Sequence, residues 1–126
     1  MSKVTAKQDK NVLGGPLLAC SYAPLTGFLR EGCCTTGPND LGRHVVCAKV
    51  SADFLEFQLR MGNDLVSPQP QYRFVGLKPG DRWCVCASRW LEAYKAGVAP
   101  PVYLEGTNET ALQFVPLETL LEHALA

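Results

Sequence analysis

The chain has 126 residues, 47% of them hydrophobic and 19% charged, with 12 basic residues balanced by 12 acidic ones. That is the profile of one folded domain, not of a disordered segment. A neutral chain without a basic cluster lacks the electrostatic footprint of a nucleic-acid binder, and no apolar run approaches the roughly 20 residues that span a bilayer.

Residues 1–10 read as a loose polar tail. Lys3, Lys7 and Lys10 are not followed by the apolar stretch that a secretory signal needs. The expected compartment is therefore the cytoplasm, where thiols stay reduced. On that expectation the even number of cysteines (Cys20, Cys33, Cys34, Cys47, Cys84 and Cys86) does not imply disulfides.

A single domain is expected over residues 11–126. From Asn11 to Gly42 the chain is crowded with turn formers, among them Gly14-Gly15-Pro16, Pro24, Gly27, Gly32 and Gly37-Pro38-Asn39-Asp40. Regular structure there should be short, with a strand near Thr26 to Arg30. His44 to Val50 is apolar and β-branched enough for a buried strand. Ser51 then caps a helix over Ala52 to Met61. Its apolar positions are Leu55 with Leu59, and Phe54, Phe57 and Met61, and Gly62 ends it.

After Pro79-Gly80-Asp81, Arg82 to Ala87 reads as a second strand. Ser88 reads as the cap of a helix over Arg89 to Ala96, with Gly97 as its stop. Val102 to Glu105 and Ala111 to Val115 are expected as further strands. Pro116 then opens a last helix striped by Leu117, Leu120, Leu121 and Ala124. These elements predict an α+β fold: a small mixed sheet, two or three packed helices and long Gly/Pro-rich loops.

The two strand–helix units resemble one another. Arg43-His44-Val45-Val46-Cys47-Ala48 matches Arg82-Trp83-Cys84-Val85-Cys86-Ala87 at four of six positions. An internal duplication would make Cys47 equivalent to Cys86 and Arg43 to Arg82; ordinary strand-cap-helix grammar gives the same look.

Longer motifs carry a resemblance of their own. They are Thr26-Gly27-Phe28, Gly32-Cys33-Cys34-Thr35-Thr36-Gly37, Asp40, His44 with Val46-Cys47-Ala48, Gly62-Asn63-Asp64-Leu65, and Gly76-Leu77-Lys78-Pro79-Gly80-Asp81-Arg82-Trp83-Cys84-Val85-Cys86-Ala87. Together with Arg89-Trp90, Glu92-Ala93 and Ala99-Pro100, they resemble an uncharacterised family, domain of unknown function number twenty-two thirty-seven. The resemblance covers nearly all of the chain after the tail, and it implies no activity, cofactor or site residue.

Candidate chemistry is concentrated in the stretch from Cys33 to His44. It holds Cys33, Cys34, Thr35, Thr36, Asp40, Arg43 and His44, between glycines that let backbone N–H groups approach a ligand. A polar small-molecule or enzymatic site there would draw on Asn63, Asp64, Asp81, Arg82 and Arg89 as further ligand-binding candidates. The alternative is a structural or protein-interaction module whose polar groups satisfy one another.

A third reading is a zinc or thiol-redox protein. The donors for zinc would be Cys33, Cys34, His44, Cys47, Cys84 and Cys86, but C-x-C in a strand and an adjacent pair are not the usual zinc spacing, so no metal ligand is assigned. A nucleophilic thiol needs a base, a cation or a helix start nearby. Cys86 lies near a helix start, and Cys33 and Cys34 lie near Arg43 and His44. His123, in the last helical turn, reads as structural. Trp83 and Trp90 read as core. Catalytic residues, cofactor and oligomeric state are not readable.

Overall fold

A computed structural model describes residues 9–125. The expected tail thus lies outside the described residues apart from Asp9 and Lys10. The carboxylate of Asp9 accepts from Asn108 Nδ2 at 2.8 Å, and Lys10 forms a bridge with Pro16.

The fold is α+β. Two strands, β1 (His44–Lys49) and β2 (Arg82–Cys86), pair antiparallel. Three helices accompany them: α1 (Ala52–Arg60), α2 (Ala87–Lys95) and α3 (Leu117–Glu122). The sheet is smaller than five expected strands would make. Val102 touches it only by single bridges, antiparallel to Ala48 and parallel to Ala124. Leu104–Gly106 and Glu109–Gln113 wind into 3₁₀ turns instead of strands. In the second of these, Asn108 accepts from the Thr110 N–H and starts the turn.

No strand forms at Thr26 to Arg30 either. Gly27 and Arg30 take φ of 103° and 55°, and the Arg30 N–H turns back to Gly27 O at 3.0 Å. Positive φ at both positions is incompatible with extended backbone. Thr26 is buried there, and its hydroxyl accepts the Cys84 N–H at 2.8 Å, so the loop is fastened to β2.

Alternation along the strands builds two cores. Val46, Ala48 and Val50 join Val85, Ala87, Phe54, Trp90, Val102 and Leu120 in the main one. Cys47 and Cys84 are opposite each other across the strand pair, and they pack with Cys20 and Cys34 in the second. Sulfur–sulfur bonds join Cys20 to Cys47 and Cys34 to Cys84. Reduced thiols throughout, as expected from the sequence, therefore do not hold for these four. The strand register and two loop segments place them side by side. Cys33 and Cys86 are free and half-buried.

Ser51 caps α1 as expected, accepting the Phe54 N–H at 3.2 Å. The buried face of that helix is Phe54, Leu55 and Gln58, while Leu59 and Met61 face solvent. Gln58 can be buried because its amide is satisfied: Oε1 accepts from Asn63 Nδ2 at 2.7 Å, and Nε2 reaches Arg89 O and Glu92 on α2. Trp90 is fully buried, donates to Pro100 O at 3.1 Å, and stacks on Tyr94.

Helix α2 starts two residues before the expected place, with Cys86 and not Ser88 at its N-cap. The reason is a tertiary bond: Ala87 N–H donates to Arg43 O at 3.0 Å, which ends the strand ladder and lets the chain turn into helix at once. Both units are indeed strand followed by helix, but the equivalence does not extend to chemistry. Cys47 is bonded and buried, whereas Cys86 is a free thiol.

Candidate active site

The start of β1 and the end of β2 are adjacent in the ladder, with His44 opposite Cys86. A bulge between His44 and Val46 ends the regular register at this point. Bulges re-aim side chains, and this one lies next to the only imidazole of the strand pair.

Asp40 fixes that imidazole. Its carboxylate is fully buried. Oδ1 lies 2.6 Å from His44 Nδ1, and Oδ2 accepts the His44 backbone N–H at 3.0 Å and the Thr36 hydroxyl at 3.0 Å. Burial by itself pushes the Asp40 carboxyl up. The bonds from the His44 ring, the His44 N–H and Thr36 outweigh it, so the group is held below its ordinary 3.8 and stays charged. With Nδ1 occupied by the carboxylate, the ring's other edge is left to face outward.

Cys86 and His44 both border Gly42: a Cβ on it would stand 3.0 Å from His44 Cε1, 3.1 Å from Cys86 Sγ and 3.5 Å from His44 Nε2, a tight fit to which the two side chains would have to yield. The Cys86 sulfur is the largest influence on the ring. It raises the His44 pKa against the opposing effect of burial, and the charge of the sulfur and then Asp40 add to it, giving about 9. His44 is therefore an imidazolium at neutral pH, between a carboxylate and a sulfur.

Cys86 is the N-cap residue of α2, but its side chain makes no cap bond, so the sulfur is free for other work. The first N–H groups of a helix lack intrahelical acceptors and give that end a partial positive charge. Cys33 differs. Burial first, and then the charge of Glu31, push its thiol above the ordinary 9.0.

Both Cys86 and His44 line a cleft of about 350 Å³. Phe28, Phe74, Trp83 and Tyr72 supply aromatic walls, and Arg30, Asn63, Asp64 and Gln69 supply polar groups. Phe28 stacks beside the His44 ring at 6.1 Å between centroids. Arg30 lies 5.5 Å over the Trp83 ring.

The structure thus divides the sequence candidates. Asp40 and His44 come together at the cleft mouth. Arg43 does not reach the cleft; its guanidinium donates to Gly37 O at 2.8 Å and secures the loop that carries Asp40. Its φ of 51° turns the chain into the bulge.

Asn63 and Asp64 line the cleft as well, but both have structural partners. Asn63 holds Gln58, and exposed Asp64 caps the Val66 and Ser67 N–H groups, which lowers its pKa. Asp81 accepts the Lys78 N–H within its turn, Arg82 lies 4.4 Å over the Tyr103 ring, and Arg89 pairs with Glu92 on α2. Cys34 is in a disulfide. Cys86 was missing from the ligand candidates; its position between a strand and a helix was the signal that pointed to it. His123 is structural: its Nδ1 donates to Thr119 O at 3.0 Å, and the ring packs edge-on to Trp90.

A family model described as an uncharacterized protein conserved in bacteria, DUF2237, matches residues 10–124. The chain belongs to this family. The match takes in Asp40, His44 and Cys86, both disulfides and the walls of the cleft. No curated protein matches the chain.

Proposed function

We propose that this protein is a thiol enzyme in which Cys86 is the nucleophile, His44 the acid–base group and Asp40 the residue that orients it. The observation that carries this reading is that Asp40 holds His44 Nδ1 while His44 faces Cys86 across the strand pair, both of them lining an aromatic cleft. Nucleophile, base and orienting carboxylate in sequence are the requirements of acyl transfer on any fold.

In this reading the substrate is a small acyl compound (an ester, thioester or activated amide) and neither nucleic acid nor a membrane. The Cys86 sulfur attacks the carbonyl carbon as a thiolate paired with the His44 imidazolium. The C–S bond forms as the bond to the leaving group breaks, and the imidazolium gives its proton to that group, which leaves His44 neutral. Water or an acceptor alcohol or amine, deprotonated by His44, then attacks the thioester and releases Cys86. With the Ala87 N–H taken by Arg43 O, the Ser88 and Arg89 N–H groups of the first turn of α2 are the donors proposed for the oxyanion. We keep a cytoplasmic setting as part of the proposal, since a reducing compartment preserves the Cys86 thiol.

The test is turnover of a panel of p-nitrophenyl esters and aryl thioesters by the wild type and by C86A, H44A and C33A. Wild type and C33A should share one rate, and C86A and H44A should fall to background. Equal turnover by C86A and wild type would overturn the assignment.

A further inference from the structure

The sulfurs that the proposed chemistry does not use form a cluster of their own. Cys20, Cys34, Cys47 and Cys84 are each 3% exposed or less. The sulfurs of Cys20, Cys34 and Cys47 all lie within 4.8 Å of one another, and Cys84 is bonded to Cys34. Two arrive from the long loop and two from the paired strands.

Their backbone positions are held by bonds that do not involve sulfur. Cys20 N–H donates to Gly32 O at 2.7 Å, and Cys34 O accepts from Asn108 Nδ2 at 3.1 Å. Cys47 and Cys84 N–H donate to the hydroxyls of Thr107 and Thr26 at 3.1 and 2.8 Å. The fold thus holds three sulfurs within 4.8 Å of one another by bonds that do not involve sulfur, and the fourth, Cys84, beside Cys34 but beyond 4.8 Å from at least one of the other two.

We propose that the reduced cluster is a tetrathiolate site for one soft divalent cation, zinc first, with Cys20, Cys34, Cys47 and Cys84 as ligands. Two equivalents of a dithiol reductant, each oxidised to its own disulfide, deliver four electrons and four protons to the two disulfides and give four thiols. Zinc then displaces those four protons and takes four Zn–S bonds.

A tetrahedral Zn–S length of about 2.3 Å puts sulfurs roughly 3.8 Å apart, a value between the bonded contacts and the 4.8 Å limit among Cys20, Cys34 and Cys47, while Cys84 has to turn in towards the other pair. Side-chain rotation covers that change. Thiolate is a ligand set that selects zinc over hard cations. The metal ties together the same four points that the disulfides tie, so one fold has a staple for oxidising and another for reducing surroundings. Half of the donors considered from the sequence (Cys33, His44 and Cys86) lie outside this cluster, and Cys20 joins it.

The experiment uses the full chain, purified with an excess of a phosphine reductant and then given zinc sulfate. Native mass spectrometry and metal analysis should find one zinc per chain, and none on the oxidised protein. C33S, C86S and H44A should retain the metal, and C20S and C47S should lose it. Should the last two fail to fold, alkylation of the wild type decides. Bound zinc should protect four thiols and leave two reactive. A reduced chain that takes up no zinc, or one that loses it in C86S or H44A, would overturn the proposal.

Discussion

Asp40 and His44 are joined twice, by a carboxylate oxygen 2.6 Å from the ring Nδ1 and by the other oxygen 3.0 Å from the His44 backbone N–H. The first bond sets which ring nitrogen is left for Cys86, and the second sets where the strand begins. Asp40→Asn keeps the size but removes the charge and places an amide where the ring N–H needs an acceptor. The expected result is an acyl-transfer rate lower by on the order of 100-fold or more with little change in KM. Steady-state kinetics checks it, and NMR titration of the His44 ring should show a lowered pKa.

His44 reports on Cys86 directly. Its pKa of about 9 owes most to the sulfur and less to Asp40. In C86S it should move back towards its ordinary 6.5, and further than in D40N. Titration of the His44 Cε1 proton resonance measures both. An unchanged value in C86S would mean that the sulfur and ring do not interact.

The same shift has a consequence for stability, and its sign is fixed. A raised histidine pKa contributes stability that is full below 6.5 and is lost as pH rises through about 9. Asp40, held below 3.8, contributes above that value and is lost as pH falls through its lowered folded pKa. The protein should therefore be most stable between about pH 4 and 6.5. The Tm advantage of wild type over H44Q should shrink from pH 6.5 to 9, as thermal melts across that range would show.

Gly42 offers a probe that leaves the backbone alone. A methyl group there would press on His44 Cε1 and on Cys86 Sγ, at 3.0 and 3.1 Å, and push the two apart. G42A should lose roughly 10-fold or more in rate, because small misplacements of reacting groups are costly, while its Tm stays close to that of wild type. A fully active G42A would show that the two side chains need not meet.

The Cys34–Cys84 bond spans 50 residues and ties the loop that bears Asp40 to the strand that bears Cys86. Chain-entropy arguments give such a closure about 4 kcal/mol. C34A/C84A should lose roughly that much in denaturant unfolding, measured under oxidising conditions. Without that tie, acyl transfer should fall as well.

Much of this frame was legible because its signals are local. Ser51 ahead of a helical pattern, the apolar run at His44 and the Cys-Val-Cys strand each specify an element without help from elsewhere. The errors fell where distant groups decide. Arg43 O captures the Ala87 N–H and moves the start of α2. Asn63 and the α2 backbone satisfy Gln58, so a polar residue replaces Leu59 on the buried face. The segments around Val102 and Ala111 have β-branched or apolar composition but make only single bridges or 3₁₀ turns, because local bonds from Asn108 and within the turns take the backbone first.

In the site, Asp40 and His44 are four residues apart and readable as a polar cluster. Cys86 lies 42 positions from His44 by their numbering, and only the strand register brings it there. The disulfides were hidden for the same reason: none joins neighbours in sequence.

The most direct test of the account is a covalent one. The wild type is mixed with p-nitrophenyl acetate, quenched in acid within the first turnover, and its mass and peptides are measured. The account predicts one acetyl group per chain, on Cys86, and none on H44A under the same conditions. Acetylation of Cys33 in place of Cys86, or equal acetylation of Cys86 in H44A, would contradict it.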